Sequence, residues 1–242
     1  MTGLSPAGYL DAIRAELAHI DTALNELTDP SGEGPGWQLR PPACPEWTLG
    51  DLVRHLGGVQ RMVLQAIGTG KPSRSREHWP EPGTDLAAWL ADGGRQLLAA
   101  LDADPATQAW SFDPEGETIG FWQRRQAMEH GIHRVDVEQA IGGQPTPIDP
   151  TLAADGVSEV VDTMLRMRLQ QGAVTLAAGS VELFAPDTGD RWLLGTGSVL
   201  GSVTAEAVTL WLLLWKRAGV DQVRLDGDTT AVEGFLAARL TP

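Results

Sequence analysis

Glu129, His130 and His133 lie close together in the run Trp122 to Asp136, which therefore holds two of the chain's five histidines. On a helix, residues four apart stack on one face, so Glu129 and His133 can present a carboxylate oxygen and an imidazole nitrogen to one point. Those are donors for a divalent ion, and one more donor from a second helix would complete a site with positions left for water or substrate. His130 and His133 are three apart and also share a face, while a one-residue shift rotates His130 roughly 100° from Glu129 about the axis. Spacing alone leaves Glu129 and His130 both open, with Glu129 preferred. It also leaves Glu129 the plainer role of an ion-pair partner for Arg125. Asp136, one turn beyond His133, is a candidate to orient a ligand imidazole, or to pair with Arg134 or Arg125.

Such residues need a helix anchored in a core. Met128, Ile132 and Val135 form an apolar stripe beside the one that runs through Trp122, Arg125, Glu129, His133 and Asp136, which predicts a helix over about 120–141, closed by Gly142 and Gly143. The third donor is best sought in an earlier helix. There Thr48 can cap free amides, Asp51 sits at the electropositive start, and Trp47 and Leu52 have the spacing of a hydrophobic staple. Leu49, Leu52, Val53, Leu56, Val59, Val63 and Ile67 make its buried stripe, and His55 lies one turn after Leu52, along the edge of the core.

Two further helices are predicted, over 6–27, stopped by Asp29-Pro-Ser-Gly32, and over 85–101, stopped by Asp104-Pro105. Four helices joined by loops predict an antiparallel bundle over residues 1–147, the architecture in which facing side chains build metal sites. Beyond the linker at 145–150 the pattern changes. A helix over 151–170, β-prone runs at 173–176, 180–184, 191–194 and 198–203, a helix over 205–217, a strand at 222–225 and a helix over 230–240 predict a small α+β domain over 148–242. The fold class is α+β, mainly helical.

Lys and Arg total 18 against 32 Asp and Glu, and the net charge of -14 repels phosphates and anionic membranes, so neither nucleic acid nor membrane is an expected partner. The one basic run, Lys71, Arg74 and Arg76, reads as a solvated loop. A single cysteine, Cys44, excludes an intrachain disulfide and fits a reducing compartment. No basic-then-apolar leader occupies Met1 to Ala12, and the longest apolar run, 208–215, falls far short of a membrane span, so a cytoplasmic location is expected. Gly195, Gly197 and Gly201 lack the spacing and βαβ setting of a dinucleotide fingerprint, and no Gly-x-Ser-x-Gly elbow appears. Trp211 and Trp215 could form an exposed patch for a partner, which leaves monomer and homodimer both open.

Three stretches carry a resemblance: Cys44-Pro-Glu-Trp-Thr-Leu-Gly-Asp-Leu-Val-Arg-His55-Leu-Gly, Phe121-Trp-Gln-Arg-Arg-Gln-Ala-Met-Glu129-His-Gly-Ile-His133-Arg-Val-Asp136 and Ala153-Ala-Asp155-Gly-Val-Ser-Glu159. Together they resemble the mycothiol-dependent maleylpyruvate isomerase family of actinobacteria, within the DinB-like metal-binding superfamily. The resemblance implies a divalent metal, usually zinc, on His55, Glu129 and His133, with mycothiol as thiol cosubstrate for an electrophilic small molecule. It implies an isomerase or an S-transferase; a non-catalytic metal-binding or small-molecule-binding protein of the same fold is the alternative. The run Leu-Leu-Leu-Trp215-Lys-Arg217 looks like the family's tryptophan/arginine segment, where an arginine can meet a substrate carboxylate, so Arg217 joins Asp136 as a candidate catalytic residue. Lys216 departs from the small residue expected before that arginine.

Overall fold

The computed structural model describes residues 3–27, 29 and 32–241. Two compact units divide it: Ser5–Pro147, and the chain from Ile148 onward together with Gly3 and Leu4.

The first unit is the antiparallel four-helix bundle. Helix α1 (Pro6–Leu24) starts where the Ser5 hydroxyl accepts from the Gly8 amide at 3.1 Å, with Pro6 in the first turn. It ends three residues before the expected boundary; of its expected stop signal, Pro30 and Ser31 lie outside the described residues. Helix α2 (Leu49–Thr69) opens on a capping box, in which Thr48 Oγ1 accepts from the Asp51 amide at 3.1 Å and Asp51 Oδ2 accepts from the Thr48 amide at 3.0 Å. Helix α3 (Leu86–Leu101) is capped by Asp85 and helix α4 (Ile119–Ala140) by Thr118. Ile20, Leu24, Leu52, Leu56, Leu86, Leu90 and Val137 meet in the core. Gly57 sets the approach of α2 to α3, since a Cβ there would stand 2.1 Å from the Trp89 ring.

Helix α4 departs from the amphipathic reading. Its polar residues were expected to border a buried face, yet Arg125, Glu129, His130, His133, Arg134, Asp136 and Glu138 are all buried alongside Met128, Ile132 and Val135. Enclosed polar groups require partners. Arg134 Nε donates to Glu16 Oε2 on α1 at 2.6 Å, and Arg134 Nη1 donates to Glu138 Oε2 at 2.7 Å and to the Thr146 carbonyl at 2.6 Å. The Thr146 amide and hydroxyl return hydrogen bonds to Glu138 at 2.9 and 2.7 Å. This network ties α1, α4 and the chain that leaves the bundle.

In the second unit, the helix expected over 151–170 consists of α5 (Pro150–Glu159), a π-helical stretch (Val160–Leu165) and α6 (Arg166–Gln170). Residues 173–176, expected as a strand, are not one; the sheet has four strands, β1 (Gly179–Ala185), β2 (Asp190–Thr196), β3 (Val199–Thr204) and β4 (Arg224–Gly227), in the order β2-β1-β3-β4. Strands β1 and β2 form a hairpin, and β3 then lies parallel to β1 on its other side. The chain therefore crosses the start of β1 within two residues, and Gly195 and Gly197 supply the positive φ angles, 88° and 104°, that so tight a passage takes.

Helix α7 (Ala207–Leu214) and helix α8 (Thr229–Ala237) complete this unit. Trp211 and Trp215 are buried, not an exposed patch: Trp211 lies against α5 at Gly156, where a Cβ would stand 2.4 Å from the indole. Helix α7 ends short of the expected 217 because Lys216 takes a left-handed φ of 64°. The Lys216 amide then donates to the Leu213 carbonyl at 3.0 Å and the Arg217 amide to the Leu212 carbonyl at 2.7 Å, the pairing of a Schellman stop.

Candidate metal centre

His55 on α2 and Glu129 and His133 on α4 converge, with one ligand atom from each lying within 4.8 Å of the others. Among the described residues they are the one group of His, Cys, Asp and Glu side chains that does so. Glu129 Oε1 stands 3.0 Å from His55 Nε2 and 3.4 Å from His133 Nε2. Zinc bonds of about 2.0–2.2 Å at tetrahedral angles separate neighbouring ligand atoms by about 3.3 Å, so two imidazoles and a carboxylate at this spacing fit a divalent ion. The Glu129 and His133 side chains are 9% and 8% exposed while His55 keeps 25%, which leaves the His55 side as the approach.

The surroundings fix protons and charges. His133 Nδ1 lies 2.8 Å from Asp136 Oδ2, which holds a proton on Nδ1 and turns Nε2 toward Glu129. Burial alone would lower the His133 imidazole, but the Glu129 charge and the Asp136 hydrogen bond outweigh it and raise it to about 9. For Glu129, burial pushes upward and is overcome by the Arg125 guanidinium and His133, which hold the carboxyl well below its ordinary range. Arg125 reaches Glu129 Oε2, so the ion pair considered from spacing exists within the same cluster.

His130 belongs to a different environment. Its Nδ1 lies 2.8 Å from the Gln126 carbonyl, which can only accept, so Nδ1 carries the proton and Nε2 accepts from Gln60 Nε2 at 3.2 Å. Burial first of all lowers His130 to about 4, and it stays neutral. Trp47 was read only as a staple residue, yet its indole lies 4.9 Å from the His55 ring and 6.4 Å from the His133 ring. The signal was present: a residue just before the cap packs on the first turn, and His55 lies one turn further along that face. Arg217, in the other unit, has its guanidinium 5.7 Å from the Trp215 ring centre.

The family model of the mycothiol maleylpyruvate isomerase N-terminal domain matches residues 13–138, more than half of the chain and the segment that holds all three converging side chains. The chain belongs to that family. Two crystal structures resemble this maleylpyruvate isomerase family member in fold: the mycothiol-dependent maleylpyruvate isomerase, with 16% identity and a TM-score of 0.64, and a histidine-to-alanine mutant of that enzyme, with 14% identity and a TM-score of 0.67. Each comparison covers 93% of this chain and 95% of the other. No curated protein matches. Among the described residues, no helix of this family member is long and apolar enough to cross a membrane.

Proposed function

We propose that this protein is a divalent-metal-dependent enzyme that activates a low-molecular-weight thiol, mycothiol in keeping with its family, for addition to an electrophilic small molecule. The observation that carries the proposal is the convergence of His55, Glu129 and His133. Zinc is the ion best suited to a set of two imidazoles and one carboxylate, and when bound it supplies the Lewis acidity that keeps a thiol ionised at neutral pH.

The chain's own residues do the rest. His55 and His133 present Nε2, Asp136 keeps the His133 proton on Nδ1, and Glu129 contributes Oε1. Trp47 packs beside the His55 ring, with its own ring centre 4.9 Å from that of His55 and 6.4 Å from that of His133. The thiolate is the nucleophile; in an isomerase it adds to an activated cis double bond, allows rotation and is eliminated from the trans product, whereas in a transferase it stays attached. Arg217 is proposed as a carboxylate-binding residue, a role that its resemblance to the family's tryptophan/arginine segment supports.

Elemental analysis of wild type beside His55→Ala and Glu129→Ala tests this reading, with retained fold checked by circular dichroism. About one equivalent of metal in wild type and none in either variant is expected, followed by thiol-dependent turnover in a panel of electrophiles. Absence of metal in all three after incubation with Zn²⁺ would sink the proposal; metal without turnover would leave a binding protein.

A further inference from the structure

The triad is most open at His55, whose side chain keeps 25% exposure. Three residues later on α2 stands Gly58, and residues three apart on a helix are neighbours, with about 5–6 Å between their Cβ positions. A short 3₁₀ turn, Ser75–His78, packs on α2 there. A Cβ on Gly58 would stand 2.5 Å from the Ser75 carbonyl and 3.1 Å from the Trp79 indole, so the glycine is what admits this turn. His55 is thus bracketed along α2: Trp47 reaches it from before the helix starts, and Trp79 lies one turn further on. Of the chain's nine tryptophans Trp79 is the exposed one, at 37%. A single apolar side chain in water is commonplace and needs no explanation by itself. What distinguishes Trp79 is its place beside the open ligand of the triad.

We propose that Trp79 is a specificity-determining residue whose indole receives a ring carried by the thiol, so that the site prefers a thiol bearing a hydroxylated ring to a short one. The inference rests on the function proposed above. An indole suits such a ring, because its flat apolar face covers the C–H face of a sugar or cyclitol while the hydroxyls at the ring's rim stay in water. Mycothiol is a thiol of this class, its cysteinyl arm being joined to an amino sugar and an inositol. Loss of a tryptophan from a contact of this kind weakens binding by about tenfold or more.

The test loads wild type, Trp79→Ala and Trp79→Phe with Co²⁺ and titrates each with mycothiol and with N-acetylcysteine amide, which carries the same sulfur arm without the rings. Sulfur-to-cobalt absorption reports each affinity, with no activity assay involved. All three proteins are expected to bind cobalt equally. Mycothiol binds about tenfold more weakly to Trp79→Ala and close to normally to Trp79→Phe, while N-acetylcysteine amide binds equally to all three. Equal mycothiol affinity in wild type and Trp79→Ala overturns the proposal and leaves a thiol-binding metal centre standing. A parallel loss of both thiols also overturns it, because a purely structural role of the indole moves both. Loaded wild type that takes up neither thiol overturns the proposal together with the thiol chemistry, and failure of wild type to bind cobalt removes the metal-centre reading as well. Where Trp79→Ala does not fold, Trp79→Leu, which keeps an apolar contact with Gly58 without the ring, takes its place with the same expected loss.

Discussion

His130 and His133 sit three residues apart on one helix and serve different neighbours. His133 is held by Asp136 and turned toward Glu129; His130 is held by the Gln126 carbonyl and turned toward Gln60. In a zinc competition titration, Asp136→Ala is expected to weaken metal binding about 10–100-fold, since it removes the acceptor that orients the His133 ring. His130→Ala is expected to keep the zinc affinity of wild type while losing about 2–3 kcal/mol of stability to a cavity and a stranded Gln60, as read by chemical denaturation. Spacing could not choose between Glu129 and His130 because both lie one turn from His133. The structure separates them by what α2 offers to each: His55 faces Glu129, and Gln60 faces His130. That pairing depends on how two helices are rotated against each other, which neither helix encodes by itself.

At the scale of elements, the end of α7 is a departure with a physical reading. A Schellman stop places its turning residue in the left-handed region, where glycine is at ease and a side chain costs about 1–2 kcal/mol. Lys216 stands there and offsets part of that cost by donating from its ammonium to the Leu236 carbonyl on α8. Comparison of Lys216→Gly with Lys216→Met isolates the backbone share, because both lose the ammonium and only glycine relieves φ. Thermal unfolding is expected to find Lys216→Gly more stable by about 1 kcal/mol. Equal stabilities would show that the left-handed turn carries no strain. Boundaries were legible wherever a cap was written into the chain, as at Thr48 with Asp51, Asp85 and Gly142. The π-helical stretch was not, since Val160 to Leu165 contains neither proline nor glycine. Residues 173–176 had β-prone composition and no strand to pair with, and composition supplies no partner.

For the molecule as a whole, the buried network of Arg134, Glu16 and Glu138 couples stability to pH. Burial would raise the Glu138 carboxyl, but hydrogen bonds from Arg134 and Thr146 overcome it and lower it below its ordinary value. A carboxyl lowered on folding contributes stability that is complete above its unfolded value of about 4.3 and is lost as pH falls through the lower folded value. Glu138→Gln is therefore expected to cost about 3 kcal/mol at neutral pH, from breaking one arm of a buried pair. The gap from wild type should close progressively in urea unfolding below about pH 4. A gap unchanged between pH 7 and pH 3 would remove Glu138 from the acid response. Helical content could be read from hydrophobic period and punctuation, whereas the enclosure of a charged helix could not, because period marks only its apolar stripe. Since nearly every residue of α4 is buried, it also offers mutation almost no free position: a change at Arg125, His130 or Arg134 strands a buried partner on another turn or another helix. Substitutions in this chain are therefore expected to be tolerated better on the outward faces of α1, α2 and α3 and on the loops than along α4.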